Sequence, residues 1–215
     1  VVGVPTSRTS ISATNAHETP AAIRQALRRY SDHAVQPGTV STRGDETPLE
    51  LNQALSIRDA GDLADPDSLD GERAATAAIA ALARDSRLII ALGGDNSLTV
   101  PAARGVLGAH PAATELAGGG IGAGGLITLD AHHDLREGRS NGSPVRRLVE
   151  AGLDPSRIVQ IGIADFANSR AYRDRARDLG IRVIHRDELF DRPLGEIVAE
   201  ALAIAGAGDG PIHVD

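Results

Sequence analysis

The chain has 215 residues, of which 41% are hydrophobic and 2% aromatic, so a single α/β domain with an aliphatic core of Ala, Val, Leu and Ile is the simplest expectation. A net charge of −7, with every one of the 22 basic residues an arginine, argues against nucleic acid or an anionic membrane as partner. There is no cysteine for disulfides, thiolate catalysis or Cys-ligated zinc, and no apolar run or signal-peptide core for a membrane span or secretion, which makes a cytoplasmic protein the default expectation.

In chain order, Val1 to Pro5 reads as a short strand and residues 6–17 as a polar loop. Thr19 at an N-cap with Pro20 at N1 predicts a helix to about Tyr30. Residues 31–50, punctuated by Pro and Gly, predict a loop, and Leu55 to Asp62 a short strand. Ala75, Ala78, Ile79 and Leu82 recur at helical spacing within Ser68 to Ala83. Arg87 to Leu92 predicts a buried strand ending at Gly93-Gly94-Asp95-Asn96-Ser97, with a helix to about Leu107. Residues 109–125 are Ala/Gly-rich and predict a mobile segment.

Leu126 to Leu129 predicts a buried strand opening into Asp130-Ala131-His132-His133-Asp134. Downstream the expectations are a helix from Ser143 or Pro144 to Ala151, a strand from Arg157 to Ile163, a helix from Asn168 to Leu179 and a strand from Ile181 to His185. A helix from Leu194 to Ile204 puts Leu194, Ile197, Val198, Ala201 and Leu202 on one face, and Ile212 to Asp215 is the last strand. Strand and helix alternation predicts a parallel sheet covered on both faces, in one domain with no internal repeat. The lack of Met predicts that the initiator is absent, and an end that reads as a strand arriving at another ligand predicts that the C-terminal part is missing.

Binding sites of such sheets lie at the carboxyl ends of strands, and three of those ends carry unusual polar residues: Asp95-Asn96, Asp130 to Asp134, and Asp215. In an extended segment Asp130, His132 and Asp134 share one side while His133 points the other way. Two carboxylates and an imidazole there suit Mn2+ or Mg2+ better than structural zinc. Asp95 or Ser97 suits a helix cap, and His133 a supporting position behind the metal face. Arg136 and Arg146, near the predicted site, suit a clamp on an anionic substrate. His17 sits in a loop able to reach the site, and His213 shares a side with Asp215. Gly120 to Gly125 fits G-x-G-x-x-G but precedes a strand, which excludes a dinucleotide fingerprint.

With these residues in view, the chain resembles the arginase/agmatinase/formimidoylglutamase superfamily, the ureohydrolases. Gly93 to Ser97 is similar to that family's GGDHS block, Asp130 to Asp134 to its DAHxD block, and Ile212 to Asp215 to the start of its SxDxDxxDP block. Within the superfamily the chain looks most like formimidoylglutamase, on Thr14 to Arg24, the extended DAHHDLR, Ser140 to Arg146 and Ile161 to Ser169. The resemblance implies a three-layer α/β/α fold, arginase-like, with two Mn2+ per subunit. It implies Asp130 and Asp215 as bridging ligands and His132 and Asp134 each on one metal, with Asp95 and His133 behind them. Asn96 stands where the family usually has His, and a neutral amide oxygen is a weaker ligand. Asn141 falls where arginases carry a proton-shuttling His, which sets arginase itself aside.

The implied reaction is hydrolysis of formimidoylglutamate to glutamate and formamide in histidine degradation, with the cations lowering the pKa of a water and Asp134 as the catalytic acid. Arg136, Asn141, Ser143 and Arg146 would hold the two substrate carboxylates. The alternatives are an agmatinase or guanidino-acid hydrolase and, from another class, a non-catalytic metabolite-binding or subunit member. The implied partners are a small-molecule substrate and further copies of the chain, as a trimer or hexamer.

Overall fold

Neighbouring apolar residues on the central strands point to opposite faces, and this sets the layers of the molecule. The computed structural model describes residues 1–35, 48–115 and 120–215. Strands β5 (Gly125–Leu129) and β6 (Ile158–Ile163) run parallel, with Leu126 opposite Ile158 and Ile127 opposite Val159. On one face Leu126 and Ile158 meet Ala103 and Leu107 of α4 (Thr99–Ala109), Val145 and Leu148 of α6 (Pro144–Glu150) and Ala176 of α7 (Arg170–Leu179). On the other, Ile127, Val159, Ile161 and Ile184 meet Ile197, Ala201 and Ala205 of α9 (Leu194–Ala205), which follows the short helix α8 (Glu188–Asp191). Helices therefore cover both faces of a parallel sheet, the expected three-layer α/β/α arrangement with an aliphatic core.

That sheet has the order β7-β6-β5-β8, with β7 (Arg182–His185) beside β6 and β8 (Ile212–Val214) beside β5. Strands β1 (Val2–Val4) and β4 (Ala91–Gly93) pair in parallel as a separate sheet. One continuous sheet was expected; among the described residues the parallel strands form two. Helix α4 links them. It gives Ala103 and Leu107 to the core of the larger sheet and Ala102 to a second cluster with Val2, Val4 and Ile79 of α3 (Leu69–Arg84). Gly105 permits the close α3–α4 approach, since a Cβ there would lie 2.8 Å from Ile79 Cβ and 2.9 Å from the Thr76 carbonyl oxygen.

Several boundaries differ from expectation. Thr19 lies inside α1 (Thr19–Leu27) rather than capping it. The 3₁₀ turn Ala16–Glu18 runs directly into the helix, so Glu18 is already helical and no extended residue is left to cap. Residues 31–50 are not all loop: β2 (His33–Val35) and β3 (Pro48–Glu50) form an antiparallel pair, followed by a short helix α2 (Leu51–Ala54), while residues 36–47 lie outside the described residues. Leu55 to Asp62 is not a strand; its sheet contact is one parallel bridge from Asp62 to Gly3. The segment expected to be mobile contains helix α5 (Pro111–Glu115), and its residues 116–119 lie outside the described residues. Of the face predicted for α9, Ile197 and Ala201 are buried, but Leu194, Val198 and Leu202 are exposed. The helix turns its Ile197, Ala201 and Ala205 stripe to the sheet. No helix of the described residues is long and apolar enough to cross a membrane.

Candidate metal centre

Strand β5 stops at Leu129, and Asp130 to Asp134 leave the sheet as an irregular segment. Strand alternation therefore does not orient these side chains, contrary to expectation. The exit is held instead by the ends of the two neighbouring strands: Leu129 N–H donates to the Asp215 carbonyl at 2.8 Å and Asp130 N–H to the Ile161 carbonyl at 3.1 Å. Asp134 has φ +53°, a left-handed conformation that costs a non-glycine residue about 1 kcal/mol. Such a residue persists only when its surroundings hold it. Here the Asn96 Nδ2 donates to Asp134 Oδ2 at 2.6 Å.

Asn96 comes from the turn after β4. Asp95 caps that turn through the Ser97 N–H at 3.1 Å and also accepts the hydroxyls of Ser97 and Ser10. Gly94 allows the turn to pack against the chain just beyond β1, because a Cβ there would lie 2.3 Å from Thr6 N. Asp215, just beyond β8, has its Oδ1 2.7 Å from the hydroxyl of Thr99, which is also 2.8 Å from Asn96 Oδ1. Asn96, Asp134 and Asp215 are thus joined in one hydrogen-bonded group, and Asp130 is close enough to act on both acids. Burial, and then repulsion from Asp130, push the Asp134 carboxyl up to about 8, against the donated Asn96 hydrogen bond. Burial raises Asp215 as well, with a smaller push from Asp130.

His132 is 56% exposed, and its Nδ1 lies 2.9 Å from Asp130 Oδ1. His133 points away, as expected, into the sheet: its Nδ1 is 2.7 Å from Gln160 Oε1, and Gln160 Nε2 donates back to the His133 carbonyl at 2.9 Å. Burial lowers the His133 pKa. Asn168 fastens the same segment by donating to the Ala131 carbonyl at 2.8 Å and accepting the His133 N–H at 2.9 Å. His17 lies on the 3₁₀ turn before α1, with its ring 4.0 Å from Glu18. Burial lowers the pKa of His213, whose Nε2 is buried with no partner.

Among the described residues no three His, Asp or Glu side chains converge closely enough to enclose an ion as they stand. Lone pairs of Asp130 and Asp134 are taken by His132 and Asn96 instead. The donor set fits a hard divalent cation all the same. Three carboxylates drawn from two strand ends repel one another where they are partly shielded from water, and a cation relieves that repulsion.

The expected substrate residues have different surroundings. Arg136 is exposed, with its guanidinium 5.9 Å above the Tyr172 ring. Asn141 accepts the Ile11 N–H at 3.1 Å. Ser143 is fully buried, and its hydroxyl both donates to and accepts from the Ser140 backbone. Arg146 donates to the carbonyls of Arg136 and Gly138 and pairs with Glu150. Ser143 and Arg146 thus shape the loop that carries Arg136 and Asn141, with their polar atoms bonded within the chain. Sequence alone did not single out Thr99, Gln160 or Asn168; only Asn168 lay within a stretch marked by resemblance.

Glu72 anchors this loop from α3. It is 8% exposed and accepts Arg139 Nε and Nη2 at 3.2 and 3.1 Å and Arg147 Nη2 at 2.5 Å. Burial alone would raise its pKa, but the two guanidiniums outweigh burial and hold it below the usual value. A depressed carboxyl stabilises the fold above its unfolded pKa of about 4.3, and that stability is lost as pH falls through the lower folded value. Glu72→Gln is expected to cost about 2 kcal/mol at pH 7, with the difference from wild type shrinking below about pH 4 in urea unfolding. A difference that is constant with pH would show that the charge is not what holds the loop.

The model of the Arginase family matches residues 1–214. A formimidoylglutamase of Halalkalibacterium halodurans is 33% identical over 212 residues, covering 94% of this chain and 60% of that protein. A guanidinopropionase of Pseudomonas aeruginosa is 33% identical over 135 residues, covering 60% of this chain and 39% of that protein. The crystal structure of formimidoylglutamase from Bacillus subtilis superimposes with a TM-score of 0.77 at 28% identity, covering 100% of this chain and 63% of that one. The chain thus spans 60% and 63% of these two formimidoylglutamases. A match over nearly its whole length shows that the chain belongs to the arginase family.

Proposed function

We propose that the protein is a Mn2+-dependent hydrolase of linear amidines, acting on formimidoylglutamate to give glutamate and formamide. The observation that carries this reading is the gathering of Asn96, Asp134 and Asp215 in one hydrogen-bonded group beside Asp130. Likeness to formimidoylglutamases over 94% and 100% of the chain supports the substrate.

Asp130, Asp134 and Asp215, with His132 and Asn96, would hold two divalent cations. Bound cations supply positive charge that acidifies water and stabilises charge developing on the amidine. Asp134 would take a proton at Oδ2 from the attacking water and pass it to the departing amine nitrogen. Water adds to the formimino carbon, the C–N bond to the glutamate nitrogen breaks, and glutamate leaves as the amine. Arg136 supplies charge for a substrate carboxylate, with Asn141 beside it in the same loop. Cytoplasmic placement, histidine degradation and assembly into a trimer or hexamer belong to the same reading and rest on the family likeness.

The test compares turnover of formimidoylglutamate, agmatine and a guanidino acid with Mn2+ added. Formamide release from formimidoylglutamate is expected to exceed urea release from the others by about 100-fold in kcat/KM, a difference of some 3 kcal/mol. Hydrolysis of agmatine alone would overturn the substrate. Failure to bind Mn2+ would favour a non-catalytic role.

A further inference from the structure

Thr99 opens α4 and is fully buried, with its hydroxyl between two groups from distant parts of the chain. Asp215 Oδ1 lies at 2.7 Å and Asn96 Oδ1 at 2.8 Å, and both are acceptors. A hydroxyl has one proton to give and lone pairs to accept with. Metal ligands bind as their deprotonated forms, so a cation requires Asp215 to be ionised. The Thr99 proton then belongs to Asp215, and Asn96 Oδ1 is left facing a hydroxyl lone pair. On the other side of the same amide, Nδ2 is turned to Asp134 Oδ2 at 2.6 Å, where a cation would meet an N–H rather than an oxygen. Turning the amide over resolves both conflicts. Nδ2 then donates to Thr99 Oγ1, Thr99 donates to Asp215, and Asn96 Oδ1 faces the acids.

We infer that Thr99 is a positioning residue that holds the Asn96 amide with its oxygen toward the cation and so lets an amide serve where the family usually has a histidine. The inference rests on the metal reading above. It concerns an otherwise ordinary helix residue whose hydroxyl joins two of the three strand ends. Thr99→Val keeps the shape and removes the hydroxyl. Thr99→Ser keeps the hydroxyl.

The experiment titrates Mn2+ into the metal-free protein by calorimetry, with free Mn2+ followed by electron paramagnetic resonance and folding checked by circular dichroism. Removing a group that orients a metal ligand costs about 10- to 100-fold in affinity. Thr99→Val is expected to weaken Mn2+ binding by about tenfold or more, and Thr99→Ser to stay near wild type. The decisive arm repeats the substitution in an Asn96→His background, because an imidazole needs no amide orientation. The contribution of Thr99 through Asp215 is common to both backgrounds and cancels. The Thr99→Val cost is expected to be several-fold smaller in the Asn96→His background than in the presence of Asn96. Equal costs in the two backgrounds, or wild-type affinity in Thr99→Val, would overturn the inference. Absence of Mn2+ binding by the wild-type protein would instead overturn the metal reading itself.

Discussion

Asp130→Asn is expected to lose Mn2+ binding and hydrolysis together while gaining thermal stability in the metal-free state. The charge of Asp130 acts on both other acids and raises their pKa values. An amide of the same shape removes that repulsion, so the metal-free variant unfolds at a higher temperature than wild type. The same change removes a carboxylate that would hold the cations in the proposed site, and a neutral amide cannot replace its charge toward a divalent ion. Affinity for Mn2+ is expected to fall by at least about 100-fold and hydrolysis by about 1,000-fold, the latter equivalent to roughly 4 kcal/mol. Differential scanning calorimetry with and without Mn2+ reads the first two effects, and formamide release reads the third. Ordinary Mn2+ stabilisation in the variant would remove Asp130 from the site. A drop in the metal-free melting temperature would show that its hydrogen bonds to His132 matter more than its charge.

Gly94→Ala is expected to be among the most damaging single-methyl additions in the protein. The new Cβ would sit 2.3 Å from the backbone nitrogen and 2.4 Å from the backbone oxygen of Thr6. Backbone cannot swing aside as a flexible side chain can, so the ends of β1 and β4 must separate. That breaks the pairing of Asp95 N–H with the Thr6 carbonyl at 2.8 Å and of the Thr6 hydroxyl with the Asp95 carbonyl at 2.9 Å. A loss of about 3 kcal/mol is expected, which for a chain of this size lowers the melting temperature by roughly 10 °C. Mn2+ affinity is expected to fall with it, because Asn96, a ligand in the proposed site, is carried on the displaced turn. Gly108→Ala is the control. It lies inside α4, where a Cβ would meet only Ile121 Cγ2 at 3.9 Å, and is expected to be neutral or slightly stabilising. Equal behaviour of the two variants would mean that the Thr6 contact yields easily.

Much of this site was legible in residue types and very little of it in their orientation. The acids at strand ends stand out in the sequence because the flanking apolar runs mark the strands. The strand alternation invoked to aim Asp130, His132 and Asp134 does not operate, since β5 ends at Leu129 and Asp134 takes a left-handed backbone. That conformation comes from contacts with Asn96 and neighbouring chain, which no local pattern encodes. Arg146 reads as a free cation near a site, yet its guanidinium is spent on two carbonyls and Glu150. Thr99 shows the same limit from the other side. A threonine at the start of a helix is unremarked until folding sets it beside Asp215. In α9 the helical period located the helix, but five apolar residues cover more than one stripe, and sheet contact chose Ile197, Ala201 and Ala205.

The hydroxyl bridge of Thr99 also sets an order in time. Asn96 and Asp134 are 38 residues apart in sequence, while Thr99 and Asp215 are separated by 116. Closing the longer loop has the larger entropic cost. The Thr99–Asp215 contact cannot form until β8 is in place, so Asp215 joins the cluster no earlier than the last described strand.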